Sequence, residues 1–236
     1  MSELASNYTY AVASRKPWNQ RVFNEVIAKY PGNWLFANEP EALDSILSQC
    51  DPRYIFFLHW SWTVPNEIIN RYECIAFHMA DVPHGRGGSP LQNLIGIGHH
   101  CTKLAALRMV QELDAGPVYA KEDLSLEGNA EEIYIRAAYL SAKMIRSIID
   151  DCPEPIPQQG EPTVFTRRNA SDSRIPEMPS LPLPSLYDFI RMLDAEGYPH
   201  AFLEYGGFRF ELRRAALYDG RIVADVTITS LEAKRK

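Results

Sequence analysis

The residues best suited to acid–base chemistry in this sequence are one histidine and one aspartate. His78 closes the apolar run Cys74–His78, and Asp114 lies in the short turn sequence Leu-Asp-Ala-Gly. A histidine takes up and releases a proton near neutral pH, and a neighbouring carboxylate orients the ring and stabilises its cation. Each residue stands where a strand gives way to a loop, which predicts that the two form a general-base pair.

The segment after His78 has the composition of a ligand-binding loop. It reads DVPHGRGGSP over residues 81–90, and its glycines let a ligand approach the backbone closely. Ser89 is predicted to be the N-cap of a helix whose first residue is Pro90, and the free N–H groups of such a terminus favour phosphates or carboxylates. Arg86 is either a surface charge, a residue that orders the loop, or a phosphate ligand.

Two other groups of residues have equally open interpretations. Arg167 and Arg168 follow the strand-like Val-Phe-Thr and are either surface charges or contacts to a diphosphate. His59, Trp60 and Ser61 follow a near-continuous apolar strand and are either core residues or walls of a pocket. Their position supports the pocket, because α/β sheets bind ligands at the carboxyl ends of their strands.

Composition and charge argue against several classes of protein. The chain has 236 residues and a net charge of −6, which disfavours a broad basic surface for nucleic acid. Its four scattered cysteines form no C-x-x-C pair, so we expect the reduced thiols of a cytoplasmic protein rather than disulfides or structural zinc. His99-His100-Cys101 is interpreted as a polar loop before a strand. We expect no signal peptide, no membrane contact and no metal.

The first 150 residues alternate between strand and helix patterns, which predicts βαβ units and an α/β fold with a mostly parallel sheet. Apolar runs predict strands at Tyr8–Ser14, Asn33–Ala37, Tyr54–His59 and Cys74–His78. Apolar residues three and four positions apart predict flanking helices at Asn19–Lys29, Pro40–Cys50 and Asn66–Asn70.

The rest of the chain is predicted to contain a long helix, an extended connection and a small C-terminal α+β region. Asn129 and Glu132 form a capping-box pattern that starts a helix running to about Asp150. Residues 153–184 carry eight of the 17 prolines and are interpreted as a connection between a domain at 1–152 and a region at 185–236. That region is predicted to hold a helix capped by Ser185–Asp188, an antiparallel hairpin at Ala201–Leu212 and a strand at Arg221–Thr229.

The region from Cys74 to Leu126 resembles formyltransferases that use 10-formyltetrahydrofolate. That family carries the motif N-x-H-x-S-x-L-P-x-x-R-G-x-x-P, followed by T-G-x-T and D-x-G-D. The chain matches it without a gap at His78, Pro83, Arg86, Gly87, Pro90, Thr102, Asp114 and Gly116. Similar segments follow at Gln158–Glu177 and Leu186–Phe202, so the resemblance extends over about two-thirds of the chain.

This resemblance implies a fold, a co-substrate and roles for individual residues. It implies a Rossmann-like catalytic domain, with a strand at Lys103–Leu113 although that segment is rich in leucine and alanine, and 10-formyltetrahydrofolate as the formyl donor. The implied catalytic residues are His78 and Asp114. Implied substrate contacts are Arg86, Gly87, Ser89, Arg167 and Arg168, and implied folate contacts are His59, Trp60, Ser61, Val82, Pro83, Leu113 and Gly116.

Within the family, the layout resembles sugar N-formyltransferases, which join the catalytic domain to a short C-terminal region. This implies that a UDP-linked 4-amino-4,6-dideoxy sugar accepts the formyl group, as in routes to pseudaminic or related nonulosonic acids. The C-terminal hairpin then either pairs two subunits into a homodimer or packs on its own domain. Alternative functions are a catalytically impaired ligand-binding relative, a formyl-folate hydrolase, or a formyltransferase for another amine; a transfer-RNA enzyme is expected to be longer and more basic.

One departure from the family motif concerns the transition state. Ala76 stands where the family has the asparagine that, with the histidine, stabilises the tetrahedral oxyanion. Loss of one oxyanion donor typically costs about 10²–10³ in rate. The sequence offers Ser61, His59, Asn93 or a backbone N–H group as a replacement and does not choose between them.

Overall fold

The computed structural model describes residues 8–177 and 180–231. The strands of these residues are β1 Thr9–Ala13, β2 Asn33–Ala37, β3 Tyr54–Leu58, β4 Cys74–His78, β5 Arg86–Gly87, β6 Cys101–Arg108, β7 Val118–Ser125, β8 Val164–Phe165, β9 Ala201–Tyr205, β10 Phe208–Tyr218 and β11 Arg221–Ser230. The α-helices are α1 Pro17–Glu25, α2 Pro40–Gln49, α3 Asn66–Arg71, α4 Pro90–Gly96, α5 Ala130–Asp151 and α6 Leu183–Arg191.

The main sheet has the strand order β2-β1-β3-β4-β6-β7 and is mostly parallel. Strands β2, β1, β3 and β4 pair in parallel, and β6 runs antiparallel to β4. All five residues of β3 are buried, as expected for a central strand of a parallel sheet. The predicted fold class is therefore confirmed: an α/β fold with a mostly parallel sheet and flanking helices, plus a small antiparallel sheet near the C-terminus.

The contacts of the chain divide it into two units, and the first contains most of the main sheet. Its described residues are 8–87, Thr102–Leu124 and Tyr134–Val164. Alternate residues of its strands build a core under one face of the sheet, where Ile55, Phe57 and Cys74 are nearly inaccessible to solvent. This rigid core supports the strand ends from which the loops of the candidate site emerge.

The described residues of the second unit are Gly88–Cys101, Ser125–Ile133, 165–177 and 180–231. It contains α4, α6 and a three-stranded antiparallel sheet in the order β11-β10-β9. Gln92, buried on α4, donates a hydrogen bond to the carbonyl oxygen of Met192 at 3.1 Å and so satisfies a buried side-chain amide.

Several element boundaries differ from those predicted. The predicted strand at Lys103–Leu113 is found at Cys101–Arg108, and β10 continues well past the predicted end of the hairpin. Helix α6 begins at Leu183 rather than at Ser185. Ser89 is the N-cap of α4 and Pro90 is its first residue, as predicted, but Ser89 has a left-handed φ of 53° and its side chain makes no capping hydrogen bond. Strand β7 was not predicted.

The start of α5 follows the predicted capping box. The backbone N–H of Asn129 donates to Glu132 Oε2 at 2.8 Å, and the backbone N–H of Glu132 donates to Asn129 Oδ1 at 2.9 Å. These reciprocal bonds satisfy donors at the helix start that have no partner within the helix, so the boundary is set by local chemistry.

Candidate active site

His78 and Asp114 lie side by side in the first unit. His78 is the last residue of β4 and is 8% exposed, and its Nδ1 atom lies 3.5 Å from Asp114 Oδ2. Asp114 has a left-handed backbone φ of 54°, and its Oδ2 also accepts a hydrogen bond from the backbone N–H of Gly87 at 3.0 Å. The structure thus brings together the two residues that were predicted to form a general-base pair.

The hydrogen bonds of His78 determine which ring nitrogen carries hydrogen in the neutral ring. Nε2 lies 2.7 Å from the carbonyl oxygen of Gly85, and because a carbonyl oxygen only accepts, Nε2 is the donor. Nδ1 therefore carries the lone pair. Its distance of 3.5 Å to Asp114 Oδ2 is longer than a hydrogen bond but short enough for the carboxylate to stabilise a cationic ring.

Arg86 is bonded to groups of its own unit that support the Asp114 turn. Its Nε and Nη2 donate to Gln158 Oε1 at 3.0 and 2.9 Å, and its Nη1 donates to Glu112 Oε1 at 3.1 Å. Gln158 Nε2 in turn donates to the carbonyl oxygens of Asp114 and Gly116, both at 2.8 Å. Of the three interpretations of Arg86, these contacts match the one in which it orders a loop.

The glycine-rich loop after β4 is held by the short pairing of β5 with β8. The backbone N–H of Arg86 donates to Thr163 O at 3.0 Å, and the backbone N–H of Thr163 donates to Pro83 O at 3.1 Å. Thr163 Oγ1 accepts a further hydrogen bond from the backbone N–H of Gly85 at 2.9 Å. Because Gly85 O is the partner of the His78 ring, this pairing also fixes the orientation of the imidazole.

Ala76 occupies an apolar position beside the histidine. It lies two residues before His78 on the same face of β4, because side chains alternate along a strand. Its neighbours in register are Phe57 on β3 and Leu107 on β6. The methyl group of Ala76 and these two side chains therefore provide no hydrogen-bond donor to an oxyanion.

The proposed replacement donors differ in their availability. Asn93 Nδ2 donates to the carbonyl oxygens of Gly88 and Ser89, both at 3.0 Å, so its amide hydrogens are used within the second unit. Ser61 is exposed, and His59 is half-buried. These contacts argue against Asn93, the only carboxamide among the candidate oxyanion donors.

The residues that follow β3 form an aromatic wall. His59 has a left-handed φ of 52°, and its ring centroid lies 4.6 Å from that of Tyr134 in an edge-on contact. Trp60 is half-buried, with its ring centroid 5.8 Å from Phe57 and 4.7 Å from Trp62. Apolar rings at the carboxyl end of a parallel strand suit a flat heteroaromatic ligand.

The four other predicted folate contacts have different surroundings. Val82 is buried in a small core cluster, Pro83 is half-buried, and Leu113 is 68% exposed. Gly116 is buried where a Cβ atom would lie 1.8 Å from the carbonyl oxygen of Arg108, so only glycine fits there. Packing alone accounts for the presence of Val82 and Gly116 at these positions, whereas Pro83 and Leu113 have accessible surface that a ligand could contact.

The remaining predicted substrate contacts belong to the second unit. Ser89 Oγ accepts a hydrogen bond from the backbone N–H of Arg168 at 3.1 Å. Arg168 also donates to the carbonyl oxygen of Asp172, and its guanidinium lies 5.7 Å from the ring centroid of Phe189. Arg167 is exposed. These contacts hold Arg168 in place and leave Arg167 on the surface.

Burial shifts the pKa of several side chains in the first unit, among them Cys74 and Lys16. Desolvation, followed by the negative charge of Glu73, raises the pKa of Cys74 to about 12, so this thiol is not a nucleophile near neutral pH. Desolvation, followed by the positive charge of Arg15, lowers the pKa of Lys16 at the start of α1. Over residues 8–177 and 180–231, no three His, Cys, Asp or Glu side chains gather as metal ligands would.

Known formyltransferases match the chain in both sequence and structure. A family model described as the methionyl-tRNA formyltransferase C-terminal domain matches residues 170–229. A solved methionyl-tRNA formyltransferase from Clostridium thermocellum is 41% identical, with 95% of this chain and 100% of that chain covered and a TM-score of 0.86. The chain belongs to the methionyl-tRNA formyltransferase-like family. The resemblance that the sequence motifs indicated is thus confirmed at the level of the family.

Two further matches of this formyltransferase family member have lower sequence identity. The methionyl-tRNA formyltransferase of Rickettsia typhi is 28% identical over 148 residues, which are 61% of this chain and 48% of the relative. The chain thus spans about half the length of the curated relatives it matches. A sugar N-formyltransferase from Shewanella is 14% identical with a TM-score of 0.62, covering 89% of this chain and 98% of that chain, a likeness of fold alone. In the described part of the chain, no helix has the length and apolarity needed to cross a membrane.

Proposed function

We propose that this family member transfers the formyl group of 10-formyltetrahydrofolate to the amine of a nucleotide-linked amino sugar. The observation that carries the proposal is the pair of His78, which is buried, and Asp114, whose side chain is 12% exposed, with 3.5 Å between Nδ1 and Oδ2, in the register of the family motif. Because Gly85 O holds Nε2, Nδ1 is the ring atom available to receive a proton.

In the proposed reaction, His78 acts first as a base and then as an acid. The amine nitrogen attacks the formyl carbon, and Nδ1 of His78 accepts the proton that the amine loses. Asp114 stabilises the resulting imidazolium across the 3.5 Å separation. The bond between the formyl carbon and N10 then breaks, and the imidazolium returns its proton to N10 of the departing tetrahydrofolate.

The folate site is proposed at the carboxyl ends of β3 and β4. Trp60, beside Phe57 and Trp62, offers aromatic surface to the pterin ring, and His59 and Ser61 flank it. Pro83, which is half-buried, and Leu113, which is 68% exposed, are proposed as further apolar contacts to the folate. In this proposal Val82 and Gly116 act indirectly: Val82 belongs to the core beneath the loop, and Gly116 allows the turn to close on Arg108.

For the acceptor, we propose a nucleotide-linked amino sugar of the UDP-4-amino-4,6-dideoxy class. Arg167 is an exposed cation able to meet a diphosphate, and the backbone of the next residue, Arg168, is held by its hydrogen bond to Ser89 Oγ. The net charge of −6 disfavours a large polyanion such as transfer RNA. The name of the Clostridium thermocellum protein, 41% identical over its whole chain, favours methionyl-tRNA as a second candidate acceptor.

An acceptor screen tests the proposal. Purified protein is incubated with 10-formyltetrahydrofolate and either UDP- and dTDP-linked amino sugars or methionyl-tRNA, and products are read by mass for the gain of one carbon and one oxygen. We expect a gain on a nucleotide sugar, and none with a His78→Ala variant. A gain on methionyl-tRNA alone overturns the acceptor, and free formate in the absence of any amine identifies a hydrolase.

We also propose that two copies of the chain associate through one face of the C-terminal sheet. The register of β9, β10 and β11 places apolar side chains together on this face, which we call the apolar face: Leu203, Tyr205, Phe208, Phe210, Leu212, Val226 and Ile228. Tyr205 is 78% exposed, Ile228 58% and Val226 50%. The opposite face carries paired charges, among them Arg209 with Glu211 at 2.8 Å.

The binding partner best suited to the apolar face is a second copy of the chain. An apolar face is complementary to itself, as a twofold interface requires, and its exposed area, on the order of several hundred Å², approaches the ~800 Å² that each partner of a stable dimer buries. Val226→Lys is expected to convert a dimer to a monomer in analytical ultracentrifugation. Thr227→Lys, one residue away on the charged face, serves as the control. A monomeric wild-type protein contradicts the proposal.

A further inference from the structure

We infer that Gln158 is a positioning residue that sets the geometry of the His78–Asp114 pair by holding the backbone of the Asp114 turn. The inference rests on the formyl transfer proposed above and adds a residue to its site. Gln158 lies far from both partners in sequence, and it touches the carbonyl groups of the turn rather than the reacting atoms.

The side chain of Gln158 makes the full set of hydrogen bonds that an amide allows. Its two N–H groups donate to the carbonyl oxygens of Asp114 and Gly116, each at 2.8 Å. Its oxygen accepts from Nε and Nη2 of Arg86 at 3.0 and 2.9 Å. Only carbonyl acceptors surround the amide nitrogen and only Arg86 donors surround the amide oxygen, so the two ends of the Gln158 amide cannot be exchanged.

The Asp114 turn has a conformation that needs such support. Asp114 has a φ of 54°, in the left-handed region that is uncommon for residues with a Cβ atom, although aspartate enters it more readily than most. The turn is fixed at two points: Gln158 holds its backbone, and the backbone N–H of Gly87 holds the Asp114 carboxylate at 3.0 Å. Without the hydrogen bonds from Gln158, the turn relaxes and the Asp114 carboxylate moves relative to His78.

Arg86 strengthens the hold that Gln158 has on the turn. The Arg86 side chain is 13% exposed, so its charge is little screened by water. Hydrogen bonds to a charged donor are stronger than neutral ones, and bonding at the amide oxygen polarises the amide so that its N–H groups donate better. The cation of Arg86 therefore acts on Asp114 through Gln158.

Two variants of Gln158 with matched size separate positioning from space filling. Gln158→Leu removes all four hydrogen bonds. Gln158→Glu keeps the oxygen that faces Arg86 but turns a carboxylate oxygen toward the carbonyls of Asp114 and Gly116. We expect both variants to lower kcat on the order of 10- to 100-fold while KM for folate and acceptor changes less than about threefold, because only the reacting geometry is disturbed. Gln159→Leu, at the exposed neighbouring position, is the control and keeps full activity.

A second measurement tests the inference without any turnover. The ¹⁵N chemical shifts of the His78 ring report its hydrogen bonding and its nearby charge. We expect Gln158→Leu and Gln158→Glu to shift these signals in the direction that Asp114→Ala shifts them, and Gln159→Leu to leave them unchanged. If no acceptor is ever formylated, the proposed function fails, but this spectrum still decides whether Gln158 positions the pair.

The inference is overturned if both Gln158 variants keep more than about half of the wild-type kcat, or leave the His78 ring signals unchanged, while remaining folded. If neither variant folds, Arg86→Lys replaces them. Lysine keeps the positive charge but cannot bond Gln158 Oε1 through two N–H groups. We then expect a smaller shift of the same sign in the His78 signals, and an unchanged spectrum overturns the inference.

Discussion

Replacing Asp114 with asparagine removes a charge from the candidate site and keeps the size of the side chain. The Asp114 side chain is 12% exposed, and its Oδ2 lies 3.5 Å from His78 Nδ1. Two unit charges at that distance attract by about 5 kcal/mol at an effective dielectric constant of ~20. If this attraction stabilises the imidazolium of the transition state, its loss corresponds to about a 10³-fold lower rate.

The asparagine side chain itself offsets part of the loss in rate expected for Asp114→Asn. The amide oxygen of asparagine still accepts the hydrogen bond from the Gly87 N–H, so the turn keeps its place. Because the amide dipole interacts weakly with the cation, we expect Asp114→Asn to lower the rate by about 10²- to 10³-fold. A single-turnover assay of formyl transfer measures this, because it separates chemistry from product release.

Asp123→Asn is the matched control for this prediction. Asp123 is 86% exposed and pairs with Lys103 on neighbouring strands, where an ion pair contributes little. We expect its substitution to leave the rate unchanged. A folded Asp114→Asn protein that retains more than about a tenth of the wild-type rate would show that the carboxylate does not stabilise a cationic His78.

Three further predictions test other parts of the site. Ala76→Asn is expected to raise the single-turnover rate about tenfold or more by restoring an oxyanion donor, and an unchanged rate would indicate that another donor already serves. Gly116→Ala is expected to lower the free energy of unfolding in urea by about 3 kcal/mol, since its Cβ atom would overlap Arg108 O, whereas Gly96→Ala, which meets no atom, changes it little. Iodoacetamide is expected to spare Cys74 in the folded protein, because burial raises its pKa to about 12, and mass spectrometry should find label first on the exposed Cys101 and Cys152.

Local sequence signals predicted those parts of the fold whose cause is local. The strands Asn33–Ala37 and Cys74–His78 have the predicted bounds, because apolar runs there end at turn residues. The leucine and alanine content of β6 is typical of a helix, yet this segment is a strand because it pairs with β4, an instance of tertiary contacts overriding propensity. Strand β7 escaped prediction because charged residues interrupt its apolar pattern.

The sequence predicted those site residues that belong to a recognisable motif. It did not predict residues whose role depends on contacts with distant parts of the chain. The motif placed His78 and Asp114 together, and the structure has them in contact. Nothing local distinguishes Gln158, whose partners are 42 to 72 residues away in sequence; its only signal was its place at the start of a segment that resembles the family. The same holds for Ser89, whose hydroxyl bonds the Arg168 N–H instead of its own helix.

The late position of Gln158 in the chain has a consequence for biosynthesis. His78 and Asp114 are made first, and Gln158 follows Asp114 by 44 residues, an interval of about 2–9 s at typical rates of synthesis. During that time the nascent chain holds both reactive residues but not the amide that fixes the turn between them. A chain cut short before residue 158 is therefore expected to form the central strands and yet lack a fixed Asp114 turn, so the geometry of the His78–Asp114 pair is set only once this part of the protein is made.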